Sequence, residues 1–221
     1  MGKDGIPEFN PMKLLHAEDH AEFLKPIEPN SKLRSVNDVH DVADKGKFAI
    51  LTLRGRCYNE ANELVAVIYR SLLIKGIGGF GYKGTKAIAI PQVAKDAKPD
   101  AVVETKTEPN QAFLYRLSLD TNPLHVDPDM AAMGGFDKPI LHGLCTYGFS
   151  VRAVYEKFCN GDQSLIAKTG VRFTSHVFPG ETLIVEMHQK GNTILFQTKN
   201  KERGTTVVKG YVELREKPKL C

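Results

Sequence analysis

The sequence has few cysteines and no long apolar run, and each absence excludes a class of protein. Its four cysteines form no CxxC pair and stand beside no histidine cluster with metal-ligand spacing. This pattern predicts a reducing compartment and no structural zinc site. The longest apolar pieces, such as residues 64–69, are far shorter than the roughly 20 residues of a transmembrane helix. We therefore expect a soluble protein without a membrane span.

A block of one charge sign and a secretory leader are also missing. The 30 lysines and arginines are mixed with 26 aspartates and glutamates along the chain, which argues against a nucleic-acid partner. The first ten residues contain no apolar signal core, so we do not expect secretion. Near the other end, Pro-Lys-Leu would resemble a peroxisomal address, but Cys221 follows it and blocks that address. These signals alone predict the cytoplasm.

Two stretches of the chain repeat one another in outline. Each has the pattern strand, turn, strand, turn, strand, which predicts an antiparallel meander present twice. In the first meander the apolar strand patterns lie at residues 48–53 and 63–75. In the second they lie at residues 194–198 and 205–214.

The region between the meanders sets the predicted domain boundaries. A Gly-rich piece at residues 76–84 is followed by a stretch with proline and lysine, and this composition predicts a linker over residues 77–108. The linker separates an N-terminal repeat, residues 1–76, from a C-terminal repeat, residues 109–221.

A helical pattern precedes only the second meander. Apolar residues recur at helical spacing over residues 141–158, so we predict a helix there. A long apolar helix beside an antiparallel meander predicts an α+β fold in which the sheet wraps around the helix. The first repeat lacks a strand and helix of its own before Met12, and we therefore expect it to be truncated.

The segment with the most chemical information is residues 115–127, YRLSLDTNPLHVD. It places Asp120, Asn122 and His125 within six residues. Pro123 fixes its own φ and biases the preceding residue away from helix, so a turn can point the three side chains into one space. Asp120 and His125 form a candidate acid/base pair, and Asn122, which does not titrate, is predicted to orient a water or a neighbour.

A second segment, residues 136–143 (FDKPILHG), follows shortly after. His142 and Gly143 begin the predicted helix, where free N–H groups and the helix dipole can stabilise a developing negative oxygen. A base, an acid and such an oxyanion hole together suit the addition of water across a double bond.

A purely structural interpretation competes with this one. Asp-x-Asn-Pro is a common turn sequence, and Asp120 would then only cap the turn that begins at Pro123. A turn alone does not require the later helix headed by Gly143, so the complete set favours catalysis.

The two segments together resemble the hydratase 2 motif of the MaoC-like, hot-dog-fold family. The strings LDTNPLHVD and GFDKPILHG carry the resemblance, which extends to about Leu214 and more weakly back to His16. It implies a double hot-dog fold and reversible syn hydration of a trans-2-enoyl-CoA to the (3R)-3-hydroxyacyl-CoA. It also implies an acyl-CoA partner, no metal or redox cofactor, and a peroxisomal location. A homodimer and membership of a larger multifunctional polypeptide are further implications.

The resemblance also assigns roles to individual residues. Asp120, Asn122 and His125 match the catalytic positions of the motif, and Gly143 matches the glycine whose N–H forms the oxyanion hole. Leu119 departs from the motif, which usually has glycine there, and its side chain is a candidate to tilt the neighbouring aspartate. Three further residues are weaker candidates for binding the substrate: Gly79, Lys83 and Arg172.

Two other functions remain open at this stage. A hot-dog thioesterase would release free thiol from acyl-CoA, with Cys145 as a candidate nucleophile, although the Asn-Pro-Leu-His string argues against it. A non-catalytic acyl-CoA-binding or assembly module is favoured by Leu119 and by the truncated first repeat. The retained set of four catalytic-type positions argues against such a module.

Overall fold

The computed structural model describes residues 14–85, 88–94 and 97–215. It divides the chain into two compact units, Met1–Ala89 and Ile90–Cys221. The predictions about the segment before Met12 and about the Pro-Lys-Leu-Cys terminus lie outside the described residues. None of the helices within those described ranges is long and apolar enough to cross a membrane.

The first unit is a four-stranded antiparallel sheet. Its strands follow the order β2-β3-β4-β1 across the sheet. Ala49 pairs with Ile74, and Leu51 pairs with Leu72, which aligns these apolar positions of the β3–β4 hairpin on one face. Among the described residues of this unit no helix is present. The strands are β1 (Leu14–Phe23), β2 (Arg34–Asp44), β3 (Phe48–Tyr58) and β4 (Leu64–Lys75).

The described residues of the second unit form five strands and three α-helices. Its strands follow the order β6-β9-β8-β7-β5, and every pair is antiparallel. The strands are β5 (Ala101–Lys106), β6 (Ile166–Phe173), β7 (Thr182–Lys190), β8 (Thr193–Asn200) and β9 (Thr206–Leu214). The helices are α1 (Gln111–Arg116), α2 (Pro128–Met133) and α3 (Gly143–Phe158).

The two units share one strand order. Strands β2-β3-β4-β1 of the first unit correspond in sequence and in position to β7-β8-β9-β6 of the second. This correspondence confirms the meander that the sequence predicts twice. Strand β5 and helix α3 have no counterpart in the described residues of the first unit.

Helix α3 contributes one side of the core of the second unit. Val154 and Ala153 are almost fully buried in a cluster with Phe196 and Met187 from the sheet. Deep in this core the Ser150 hydroxyl bonds the Thr198 hydroxyl at 2.7 Å. The helix is therefore held against the sheet by apolar contacts and by buried polar bonds such as this one.

The predicted linker over residues 77–108 differs from the structure in two respects. Its last part forms the edge strand β5, which pairs with β7. Its Gly-rich part is anchored, because the Asp44 carboxylate accepts hydrogen bonds from the amides of Gly81 at 2.6 Å and Gly79 at 3.1 Å. The Gly81 amide foremost holds the pKa of the Asp44 carboxyl below its usual range. Asp44 lies 35 residues before Gly79, so the local composition of the Gly-rich part does not reveal this contact.

Two glycines of the second unit offer a matched test of this packing. A Cβ at Gly210 would lie 2.5 Å from the Gly170 carbonyl oxygen and 2.5 Å from the Phe196 ring, whereas one at Gly148 would meet nothing within 4 Å. We expect Gly210→Ala to lower the free energy of unfolding by about 1–3 kcal/mol. We expect Gly148→Ala, in α3, to leave it unchanged or raise it by about 0.5–1 kcal/mol. Urea denaturation checks both, and equal stability of the two variants would contradict this packing.

Candidate active site

The loop between α1 and α2 presents the predicted acid/base residues. The Asn122 side chain accepts a hydrogen bond from the Leu124 amide at 3.1 Å and so caps a short 3₁₀ turn, Pro123–His125. The Arg116 guanidinium donates to the carbonyls of Thr121 at 3.1 Å and Asn122 at 3.3 Å. A cap on one side and an arginine on the other therefore fix the turn that carries the histidine.

His125 is oriented by the chain segment that leads into α3. Its Nδ1 lies 2.8 Å from the carbonyl oxygen of Ile140. A carbonyl only accepts, so Nδ1 donates its hydrogen there, and the neutral ring keeps a lone pair on Nε2. Burial lowers the pKa of His125, although the Ile140 bond and the nearby Asp120 charge act in the opposite direction. The ring is therefore a neutral base near pH 7.

Asp120 lies beside this histidine, as the sequence predicts. Side-chain atoms of Asp120, His125 and His142 all lie within 4.8 Å of one another. The aspartate is not the cap of the turn, because Asn122 has that role and Asp120 Oδ1 receives only a long 3.3 Å bond from the Asn122 amide. The carboxylate is thus available to a ligand, which favours the catalytic interpretation over the structural one.

The start of α3 provides a free backbone donor near the pair. The helix begins at Gly143, two residues later than the predicted position 141, and the His142 side chain makes no capping bond. Within the described part of the chain no acceptor bonds the Gly143 amide. A Cβ at Gly143 would lie 3.2 Å from the ring of Phe173 on β6, so a larger residue here would need that ring to shift by a few tenths of an ångström. A free amide at the positive end of a 16-residue helix is suited to an oxyanion.

Leu119 does not point toward the catalytic pair. Its backbone is left-handed, with φ of 71°, and its side chain is 87% exposed. The left-handed φ explains why glycine suits this position, because a leucine there costs roughly 1–2 kcal/mol. Because the side chain points outward, Asp120 stays next to His125. Leucine in place of the motif's glycine therefore strains the backbone but does not disturb the site.

The three weaker candidates for substrate binding have different surroundings. The Gly79 amide donates to the Asp44 carboxylate, and substrate binding by Gly79 stays a prediction. Lys83 is near the same carboxylate and contributes to its lowered pKa. Arg172 lies on β6, opposite Lys209 of β9, and is exposed. Substrate binding by Lys83 and Arg172 stays a prediction.

Two further residues change the list of candidates. Cys145 is buried, and burial raises the pKa of its thiol to about 11, so it is protonated at neutral pH and unsuited to act as a nucleophile. The sequence predicts His142 only as one of the residues that begin the helix, yet its ring stacks on that of His125, with the ring centroids 3.7 Å apart. The position of His142 at the helix start is the only feature of the sequence that suggests a role for this residue in the site.

Two family models match the chain. Residues 92–210 match the MaoC like domain, and residues 1–76 match the MFE-2 hydratase 2 N-terminal domain. The chain therefore belongs to the MaoC-like hydratase 2 family. This membership and the repeated strand order confirm the predicted α+β double hot-dog fold.

Named relatives agree with this family. The chain is 41% identical to "Enoyl-CoA hydratase 2, peroxisomal" of Arabidopsis thaliana, over 94% of this chain and 70% of the relative. It is 43% identical to "Peroxisomal multifunctional enzyme type 2" of Mus musculus, over 93% of this chain but only 28% of that longer protein. It superposes on the crystal structure of a MaoC-like dehydratase from Phytophthora Capsici with a TM-score of 0.91. That match has 38% identity and covers 99% of this chain and 74% of the other.

The outward position of Leu119 generates a test of backbone strain. We expect Leu119→Gly to raise the free energy of unfolding by up to about 1 kcal/mol, because glycine adopts a positive φ without a clash. Leu117→Gly is the matched control, since Leu117 is 81% exposed but has a φ of −63°, and it should lower stability by about 1 kcal/mol. Chemical denaturation measures both. A loss of stability in Leu119→Gly equal to that of the control would contradict the strain at this position.

Proposed function

We propose that this protein is a (3R)-specific 2-enoyl-CoA hydratase, a hydro-lyase that adds water reversibly to a trans-2-enoyl-CoA. The carrying observation is the convergence of Asp120 and His125 with His142, the residue that precedes the free Gly143 amide at the start of α3. The names of the relatives, enoyl-CoA hydratase 2 among them, support the same reaction.

The first step of the mechanism is the positioning of a water molecule. The Asp120 carboxylate and the Nε2 lone pair of His125 both accept hydrogen bonds, so a water between them donates both hydrogens. Its oxygen then directs a lone pair toward C3 of the substrate. Asn122 holds the turn in place through its bond from the Leu124 amide, and it does not exchange a proton. That it orients a water or a neighbouring side chain stays a prediction.

The second step transfers electrons and protons in balance. As the water oxygen bonds C3, one of its protons passes to the Asp120–His125 pair, and the C2–C3 π electrons move onto the thioester carbonyl oxygen. The Gly143 amide donates a hydrogen bond to that oxygen and stabilises the enolate. The pair then returns a proton to C2 from the side on which water entered, which gives syn addition. The redox state is unchanged overall, so the step requires no redox cofactor, and its protons and charge balance on Asp120, His125 and the Gly143 amide.

The proposal extends to partners and location. The substrate class is acyl-CoA thioesters, and these residues do not determine which acyl group is bound. A peroxisomal location is supported by the names of relatives, several of which are called peroxisomal. Two assemblies belong to the proposal: a homodimer, and a place within a longer multifunctional polypeptide such as the Mus musculus relative.

The direct test is the loss of enoyl absorbance when crotonyl-CoA or a longer trans-2-enoyl-CoA is added, with chiral analysis of the product. We expect the (3R) alcohol from the unaltered protein. Asp120→Asn should lower kcat by about 10²- to 10⁴-fold, because an amide does not accept the proton. Asp129→Asn, an exposed carboxylate on α2, is the matched control and should keep full activity.

The alternatives give different outcomes in the same assay. Release of free thiol without hydration would identify a thioesterase, although the buried, protonated Cys145 does not favour one. Binding of acyl-CoA by a folded chain without turnover would identify the non-catalytic module and overturn the proposal.

The pH dependence of hydration follows from the state of His125. Only the neutral ring accepts the proton of water, and burial lowers its pKa below the ordinary 6.5. We therefore expect kcat/KM to be constant from pH 8 down to about 6.5 and to fall only below that. A profile of kcat/KM between pH 5 and 9 measures this acid limb. A limb centred above 6.5 would contradict a neutral, partly buried base.

A further inference from the structure

His142 is a buried histidine whose ring nitrogens lack ordinary partners. It is only 1% exposed, and within the described residues neither nitrogen reaches hydrogen-bond geometry, although the Asp120 backbone is close enough to favour the protonated ring. Buried polar groups are nearly always hydrogen-bonded, so this residue reduces stability where an apolar residue would not. A residue that lowers stability and lies beside the catalytic pair is expected to contribute to the function of that pair.

The ring of His142 is enclosed between two other rings. Its centroid lies 3.7 Å from that of His125, with 29° between the planes, and 4.7 Å from that of Tyr115. The His125 ring is thus held at its Nδ1 edge by Ile140 and on one face by His142. These two contacts fix both the rotation and the tilt of the base.

The contact geometry favours a role through the ring face over a metal site. Asp120, His125 and His142 are residue types that bind metals, and their side chains converge. However, both His142 nitrogens are sealed from solvent, and in nearly parallel stacked rings the in-plane lone pairs run side by side and do not converge on one ion. The same seal prevents His142 from touching the reacting water.

We propose that His142 is a positioning residue for hydration: its ring face holds His125 in the plane that directs Nε2 at the reacting water and shields that ring from solvent. The inference rests on the proposed function. The backbone of His142 is itself held in place. Its carbonyl accepts hydrogen bonds from the amides of Cys145 at 3.1 Å and Thr146 at 3.2 Å in the first turn of α3.

The electrostatics of the pair agree with this arrangement. Burial, followed by the neighbouring His125, lowers the pKa of His142 to about 4, so the ring is uncharged at every pH at which the enzyme would act. An uncharged ring can cover the face of His125 without repelling it. Its removal would admit water and allow the pKa of His125 to rise toward its ordinary value.

Two kinds of variant separate the ring face from its nitrogens. His142→Phe keeps a ring face and removes both nitrogens, whereas His142→Asn keeps a polar side chain and removes the face. Asparagine is a favoured residue at a helix N-cap, which is the position of His142, so this variant should retain α3. His142→Ser, also a favoured N-cap, is a second variant without a ring.

The readouts are the acid limb of kcat/KM and the titration of the His125 ring protons by NMR. We expect Asn and Ser at position 142 to move both midpoints upward and to lower kcat by about 10- to 100-fold, with KM little changed. The Phe variant should keep the low midpoints and most of kcat. Midpoints that do not move in the Asn and Ser variants, or that move equally in the Phe variant, would overturn the positioning role.

The NMR titration separates this inference from the proposed function. If the unaltered protein hydrates no enoyl-CoA, the hydratase proposal fails. The upward shift of the His125 midpoint in the variants without a ring then still tests the stacked contact by itself.

Discussion

The hydrogen bond between His125 Nδ1 and the Ile140 carbonyl is the contact on which the rest of the site depends. It joins two segments that are 15 residues apart in the sequence and brings the acid/base turn to the start of α3. Because the carbonyl accepts a hydrogen bond from Nδ1–H, the bond also selects the tautomer whose Nε2 is free to accept a hydrogen bond. Without it, Asp120 and the Gly143 amide would belong to separate loops with no common function.

The four residues 140–143 therefore combine three functions in one short stretch. The Ile140 carbonyl orients the base, the His142 ring covers it, and the Gly143 amide is free for an oxyanion. The stretch is rigid because the Leu141 amide bonds the Val177 carbonyl at 2.7 Å, and because α3 is packed into the core of the second unit. Pre-organisation of this kind reduces the rearrangement that a transition state would otherwise demand.

Sequence patterns predicted the parts of the molecule whose signals are local. The β3–β4 and β8–β9 hairpins, helix α3 and the Asn-Pro turn all follow from periodicity or turn chemistry within a few residues. Strand β1 was missed because LLHAEDHAEF carries acidic residues and histidines where an apolar alternation is expected. The Asp44 anchor and the His125–His142 stack were missed because each joins residues far apart in the chain. The outward side chain of Leu119 follows from a left-handed backbone, which residue type alone does not predict.

A crystal structure of the Asp120→Asn protein with a bound (3R)-3-hydroxyacyl-CoA would test the central claim most directly. The account predicts the thioester carbonyl oxygen within hydrogen-bond distance of the Gly143 amide. It also predicts the 3-hydroxyl between residue 120 and Nε2 of His125, with the Nδ1 bond to Ile140 intact. A hydroxyl away from this pair, or a carbonyl oxygen bound by other donors, would contradict it.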